Sequence, residues 1–275
     1  MKKLAASHPY PTPSSKSSYD PAYFRTTAEI EDRHFWYCSR GQVIARVAGQ
    51  VAASLDPPCR ILEVGCGTGS VLRLLEQACP KAMVVGVDFF GEGLQIARQR
   101  TKCPLVQGDI GALPFATRFH VIGLFDVLEH LSDDLQELRN LHGHLAPGGA
   151  LLLTVPAHPW LWSYFDVASR HCRRYEPAEL EKKLKATGYR VEYVTQFMAS
   201  LLPMLWLARR LVGWLEPNRA NDAARAQELA AREFRVIPVI NELMGWLLGL
   251  ELGWIAGRRR LPIGTSLLAI ARKDS

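Results

Sequence analysis

The stretch Arg60-Ile-Leu-Glu-Val-Gly-Cys-Gly-Thr-Gly-Ser70 decides the fold. Ile61, Leu62 and Val64 form a short apolar run of the kind used by a strand covered on both faces, and Gly65, Gly67 and Gly69 follow directly. Val71, Leu72, Leu74 and Leu75 then recur at helical spacing. A strand that breaks through glycines into a helix lets the backbone approach a ligand closely, and its free N–H groups suit an anionic group such as a carboxylate. The turn reads as a cradle for a nucleotide-type cofactor.

Working outward, Met83 to Val87 reads as a second strand ending in Asp88, followed by a helix over Gly93 to Arg100. Leu105-Val106 is a short third strand before Gly108-Asp109, and His120 to Phe125 a fourth, followed by Asp126. A helix from Ser132 to Leu145 is stopped by Pro147-Gly148-Gly149, and Ala150 to Val155 is a fifth strand. This alternation predicts an α/β fold with a doubly wound, mainly parallel sheet and right-handed crossovers. Ligands of such sheets sit at the carboxyl ends of the strands, where Gly65, Asp88, Asp109 and Asp126 collect. A helix over 27–54, capped by Thr27, precedes the first strand. A helix from Pro177 to Gly188 and a strand from Tyr189 to Phe197 follow the fifth, and Ser266 to Arg272 is the seventh and last strand.

At 275 residues the chain can bury one full α/β core and still carry a subdomain. The net charge of +6 is scattered except at Arg258-Arg259-Arg260 and across Arg170 to Arg174, so charge does not point to nucleic acid. Six cysteines lie far apart, with no C-x-x-C and no Cys/His spacing suited to zinc; they read as reduced thiols in a cytoplasmic protein, and no metal site is expected. The basic start runs into His8-Pro9-Tyr10-Pro11-Thr12-Pro13 without an apolar segment, so export is not expected. Residues 1–18 read as a disordered tail, and 19–275 as one domain.

Asp88 ends the second strand, where a carboxylate accepts hydrogen bonds from both hydroxyls of a ribose. The glycines run G-x-G-x-G rather than G-x-G-x-x-G, which favours a cofactor without a pyrophosphate over a dinucleotide. Leu62-Glu63-Val64-Gly65-Cys66-Gly67-Thr68-Gly69, Val87-Asp88, Gly108-Asp109-Ile110-Gly111-Ala112-Leu113-Pro114-Phe115 and Phe125-Asp126-Val127-Leu128-Glu129-His130-Leu131 together resemble the class I S-adenosylmethionine-dependent methyltransferases. The likeness covers about residues 55–197 plus the last strand, and Leu-Glu-His-Leu is similar to the quinone and small-molecule branch. The resemblance implies a Rossmann-like seven-stranded sheet and S-adenosyl-L-methionine as cofactor. Glu63 and Gly65, Cys66, Gly67 and Gly69 would hold its methionine part, Asp88 its ribose, and Asp109 with Ile110 its adenine. Asp126 joins this set at the strand end, and Phe89 either covers the adenine or packs in the core. His34 to Arg40 resembles the N-terminal helix that closes over cofactor and substrate in some of these enzymes, with Arg40 or Tyr37 meeting the cofactor.

Methyl transfer depends mainly on positioning and desolvation, and a base is needed only for acceptors that must lose a proton. His130 is either that base or a residue that orients the loop. The loop Pro156 to Tyr175 leaves the same sheet edge: Trp160, Trp162 and Tyr164, with Phe165, would wall a substrate pocket, and Tyr175 closes the stretch. Asp166 and His171 would pair so that the carboxylate sets the imidazole tautomer, and Arg173 with Arg174 would clamp an anionic head group. The plainer reading is a loop held together by its own ion pairs and aromatics.

Residues 198–265 interrupt two strands that a hairpin normally joins. Leu201 to Leu215 is apolar nearly all round, an alanine-rich helix runs from Asn221 to Phe234, and Ile237 to Gly257 is apolar except for Asn241, Glu242 and Glu251. The last segment spans roughly 31 Å, comparable with a bilayer core, but two acidic residues favour an interfacial or folded-over helix over a span. Gly245, Gly249, Gly253 and Gly257 form one stripe, expected to pack on the Leu201–Leu215 helix. The insertion reads as a lid that grips lipid or touches the inner face of a membrane, or as a helical cap or homodimer face. The functional expectation is methyl transfer to a small or lipid-like acceptor with an anionic head. A nicotinamide-dependent oxidoreductase and a non-catalytic, cofactor-binding membrane adaptor are the rivals.

Overall fold

A computed structural model describes residues 23–215 and 223–274. The expected 1–18 tail and Asn221 lie outside the described residues, as do the side chains of Val212, Trp214 and Leu215. The strands are β1 (Arg60–Val64), β2 (Met83–Asp88), β3 (Leu105–Gln107), β4 (Phe119–Phe125), β5 (Leu145–Pro156), β6 (Tyr189–Phe197) and β7 (Ser266–Lys273). They form one sheet in the order β3-β2-β1-β4-β5-β7-β6, in which β7 runs antiparallel to β5 and β6 and the remaining pairs are parallel. The strand order reverses between β1 and β4, and the crevice above that point is where ligands of such sheets bind.

The helices are α1 (Tyr23–Ile30), α2 (Phe35–Ala53), α3 (Ser70–Ala78), α4 (Gly91–Ala97), α5 (Asp134–His144), α6 (Tyr164–Ala168), α7 (Pro177–Ala186), α8 (Leu202–Leu215), α9 (Ala223–Glu233) and α10 (Pro238–Ala256). Alternate residues of each strand feed opposite cores: Ile61 and Val121 join Ile44, Val47 and Leu72 on one face, while Leu62 and Ile122 join Leu138, Leu141 and Leu180 on the other. Each such side chain contributes about 1.5–3 kcal/mol by burial.

The largest departures from expectation are at two boundaries. The N-terminal helix is broken: Thr27 lies inside α1, His34 caps α2 by accepting from the Trp36 N–H, and Glu31 in the break between them meets Thr68 and Arg100. Pro147-Gly148-Gly149 lies inside β5 instead of ending α5, as an irregular stretch between the Phe119–Leu145 and Val121–Ala150 pairings, with Gly148 at φ +70°.

The insertion is the three helices α8, α9 and α10. Ala226, Leu229 and Ala230 of α9 pack on Tyr164 and Ala168 of α6. α10 lies along α2, not along α8. Its glycine stripe is correspondingly open: a Cβ at Gly245, Gly249 or Gly253 would meet nothing within 4 Å. Polar groups explain the docking. Asn241 accepts from the Phe35 N–H and donates to the Arg33 carbonyl, Gln50 donates to the Ala256 carbonyl, and buried Glu251 accepts from Ala199 N, Ser200 N and Ser200 Oγ. Two of the three polar residues in this apolar helix therefore face protein.

Candidate functional site

Above the switch point lies a cavity of about 960 Å³, bounded by the glycine turn, the ends of β2 and β4, the loop after β5 and the inserted helices. Gly65 adopts φ +76°, and a Cβ there would come within 2.4 Å of Val127 Cγ2, so only glycine lets the turn pass beneath the β4 loop. The N–H groups of Gly65 and Cys66 donate to the Val87 carbonyl, which ties the turn to β2. Gly69 is different. It does not line the cavity; at φ +78° it starts α3 and lies so close to α4 that a Cβ would sit 2.9 Å from Ala97 Cβ. The structure gives it a packing role in place of the expected ligand contact.

Asp88 accepts from Gly67 N (2.7 Å) and Phe90 N (2.8 Å). Burial pushes its carboxyl up to about 6 against these two bonds. Glu63 is buried with Oε2 unpartnered, on the cavity wall; burial drives its carboxyl well above the usual range, and the Arg40 charge opposes this. Arg40 itself pairs with Asp126 and donates to the Phe125 carbonyl. Asp126 occupies φ +54°, an uncommon conformation for a non-glycine residue, held by a hydrogen bond from Thr154 Oγ1. Cys66, Phe89, Asp109 and Ile110 line the cavity, Phe89 half-buried, and Asp109 caps the short turn after β3 by accepting from Gly111 N.

Several wall residues were not anticipated. α1 closes over the glycine turn: the Phe24 ring lies 3.3 Å from where a Gly67 Cβ would be and 5.9 Å from the Phe90 ring, while Thr68 donates to Glu31 at 2.6 Å. Nothing in the pattern around 23–30 announces this contact, which forms between segments far apart in the chain. Tyr37, expected here as an alternative to Arg40, is half-buried on the wall, and desolvation pushes its hydroxyl up to about 12.

On the far wall, the short 3-10 turn Leu128–His130 brings Glu129 and His130 beside His171 of the loop after β5. Asp166 is the third residue of a capping box with Ser163, which fixes its carboxylate. That carboxylate meets His171 Nδ1 at 2.9 Å and accepts from Arg174 Nε at 2.7 Å. Burial alone would raise the Asp166 carboxyl, but His171 and Arg174 hold it below its ordinary range. His171 Nε2 is left facing Glu129 Oε1 at 4.0 Å, and the His130 and His171 rings meet edge to face at 4.9 Å. Burial, with His171 nearby, pushes His130 down to about 3 and keeps it neutral. Burial and the Asp126 charge drive Glu129 well above the usual carboxylate range. Glu129 is inside the Leu-Glu-His-Leu motif, whose His130 drew attention first.

The remaining substrate residues scatter. Trp160 and Trp162 are 54% and 44% exposed and do not line the cavity; the short turn Pro159–Leu161 turns Trp160 outward onto the His158 ring. Arg173 is spent on Asp134 and the Ser132 carbonyl, and Arg174 on Asp166 and the Ala157 carbonyl, so neither offers a free fork to an anionic head. Tyr175 is fully buried with its hydroxyl on Asp134 and the Leu128 carbonyl. Tyr164 and Phe165 do reach the cavity, and Tyr164 donates to Glu233 of α9, which also pairs with Arg209 of α8.

A methyltransferase-domain family model matches residues 35–194, more than half of the chain. Over 131 residues the chain is 32% identical to a trans-aconitate 2-methyltransferase of Azoarcus sp. (strain BH72), covering 47% of this chain and 49% of that one. Over 104 residues it is 38% identical to a 2-phytyl-1,4-naphtoquinone methyltransferase of Thermosynechococcus vestitus, covering 36% and 46%. The chain thus spans about half the length of these curated relatives. A chain of the solved complex between the Haloferax volcanii Trm112 methyltransferase activator and a methyltransferase shares the fold at TM-score 0.57 and 16% identity, over 95% of this chain and 100% of that one. With its sheet order, its glycine cradle and this match, the chain belongs to the methyltransferase-domain family, the S-adenosylmethionine-dependent enzymes of class I.

Proposed function

We propose that this chain transfers a methyl group from S-adenosylmethionine to a small, largely apolar acceptor held in the roofed cavity. The observation that carries the reading is continuity: one cavity runs from Glu63 and Asp88 to Glu129, His130 and His171. The unpartnered, buried Glu63 Oε2 fits the amino group of the cofactor's methionine part. Gly65 and Gly67 give that part room, Asp88 has lone pairs left for the ribose, and Asp109, Ile110 and Phe89 border the adenine side. When bound, the cofactor supplies a methyl on a sulfonium centre, for which the acceptor atom must lie in line. The protein's part is to exclude water and orient the acceptor. Tyr164, Phe165 and the inner faces of α8 and α9 form a roof of apolar side chains crossed by the Arg209–Glu233 ion pair. Asp166 holds His171 Nδ1, so that Nε2 presents a lone pair able to take a proton from an acceptor hydroxyl. The test is incubation with methyl-labelled S-adenosylmethionine and a lipid and quinone extract, read by mass spectrometry. Label in an apolar, oxygen-bearing compound is the expected result, and cofactor binding without any labelled product would favour the non-catalytic adaptor.

The acceptor class is narrowed by the mouth of the cavity. Met204, Ile237 and Ile240 line the cavity and are also exposed, so the opening merges with an apolar outer surface. That surface continues along one stripe of α10 through Val239, Leu243, Trp246, Leu250 and Trp254. Arg258, Arg259 and Arg260 flank its end, with Arg259 over the Trp254 ring, and Arg210 lies over Trp206 of α8. Apolar surface edged by tryptophan and arginine matches the interface of an anionic bilayer. These features support a lipid-like acceptor taken from the inner face of a membrane on which α8 and α10 rest.

A further inference from the structure

We infer that Arg209, held in the roof of the cavity by Glu233 and Phe165, recognises the acceptor by donating to a neutral, carbonyl-type oxygen. The chain thereby selects apolar acceptors that carry such an oxygen in addition to the group that is methylated. This role rests on the methyltransferase reading of the cavity and adds a substrate class to it.

Arg209 belongs to α8 and lines the cavity, with only 12% of its side chain exposed. Its guanidinium is fixed on two sides. Nε donates to Glu233 Oε1 at 3.2 Å and Nη2 to Glu233 Oε2 at 2.9 Å, a fork on a carboxylate, and the group lies 4.9 Å from the centre of the Phe165 ring. Glu233 is held in turn by the Tyr164 hydroxyl, which donates to Oε1 at 2.6 Å. The fork uses the Nε–Nη2 edge, and Nη1, with two N–H groups, donates to no described residue. The same Phe165 ring meets His171 edge to face at 6.4 Å, and the Asp166 charge is felt at Arg209, so the cation stands beside the acceptor wall.

Charge decides which oxygen suits the spare donors. Around this wall Arg209 faces Glu233, Arg174 faces Asp166 and Arg40 faces Asp126, so each guanidinium already meets a carboxylate. Burial raises Glu129 well above the usual carboxylate range, which favours its neutral form. Arg33 and Arg235 also border the cavity, but both are exposed to solvent. A carboxylate or phosphate placed against Arg209 would add an unmatched charge to a desolvated space, whereas a carbonyl oxygen takes up the Nη1 donors and keeps the balance. An acceptor of the same shape without that oxygen leaves buried N–H groups unpaired, which is how an otherwise apolar site discriminates. The arginine that meets the acceptor thus comes from the inserted helices, not from the loop in which Arg173 and Arg174 are consumed.

The test uses the full chain and three phenols with the same long alkyl chain that differ at one ring position, which carries acetyl, isopropyl or carboxylate, groups of similar shape. Binding is read by calorimetry with S-adenosylhomocysteine present, and methyl transfer from labelled S-adenosylmethionine is followed in parallel. The acetyl compound is expected to bind at least about tenfold more tightly than either of the others. Arg209→Met should bring acetyl and isopropyl to within about twofold of each other. Glu233→Gln leaves the Arg209 charge unmatched and should reverse the order of acetyl and carboxylate, a change that a mere tie between α8 and α9 would not produce. Should Arg209→Met bind none of the three, the order in Glu233→Gln decides. A wild-type chain that binds none of them, or that binds isopropyl or carboxylate as tightly as acetyl, would overturn the role. So would an acetyl preference that survives Arg209→Met, or an unchanged order in Glu233→Gln. Any of these results with S-adenosylhomocysteine bound leaves the methyltransferase reading standing. Failure to bind either form of the cofactor defeats that reading instead, and acetyl selectivity that still depends on Arg209 would then keep Arg209 as a ligand residue.

Discussion

Asp88 shows how one residue couples the cofactor to pH. Burial raises its folded-state carboxyl from 3.8 to about 6, so the ligand-free fold holds it mostly ionised at pH 7 and mostly neutral at pH 5. Its contribution to stability is present below pH 3.8 and lost as pH rises through about 6. Ribose hydroxyls donate to the ionised form, so below about pH 6 cofactor binding must draw the proton off. S-adenosylmethionine affinity is therefore expected to weaken about tenfold between pH 7 and pH 5, and Asp88→Asn to bind more weakly at pH 7 but with a flat profile over that interval. Calorimetry at several pH values checks both, and a sloped profile in Asp88→Asn would assign the pH dependence to another group. The position of Asp88 at a strand end made this residue legible from sequence, because a parallel strand delivers its last side chain to the ligand edge whatever else the fold does. Trp160 and Trp162 turn away from the cavity for the converse reason. Loop direction depends on turn geometry that composition does not encode.

At the scale of elements, α1 is the unexpected part of the site. Phe24 is 5% exposed, lies against the glycine turn and Phe90, and is held there by the Glu31 contacts with Thr68 and Arg100. Phe24→Ala removes the buried ring of a short helix at a cost of about 3–5 kcal/mol to local packing. The expected outcome is faster proteolysis around residues 23–34, largely reversed by saturating S-adenosylmethionine, together with weaker cofactor affinity. Unchanged proteolysis and affinity would remove α1 from the role of a cover. The inserted helices repeat the lesson. Their apolar character was plain, but which neighbour each would choose was set by single polar residues, Asn241 and Glu251, that reach α2 and the turn before α8.

Among the described residues, one face gathers exposed apolar side chains, where the cavity mouth opens into the exposed stripe of α10 and the outer side of α8. If this face rests on a bilayer, the chain should co-sediment with anionic vesicles and less with zwitterionic ones, with binding reduced by salt. Trp246→Glu with Leu250→Glu should abolish sedimentation while leaving S-adenosylmethionine affinity unchanged, since neither side chain lines the cavity. A full chain that never sediments with anionic vesicles would return the stripe to a protein–protein role.

The sequence by itself determined the sheet, the strand ends and the cofactor cradle, because strand periodicity, glycine spacing and the rule that ligands gather at carboxyl ends are local or topological. It also exposed the insertion, as an excess of chain between two strands. Tertiary structure alone decided that Gly69 serves helix packing, that Arg173, Arg174 and Tyr175 are consumed by Asp134, Asp166 and neighbouring carbonyls, and that α1 covers the turn. It alone gathered Glu129, His130 and His171. Such meetings depend on which distant segments pack together, and a buried polar group takes whichever partner that packing brings within reach.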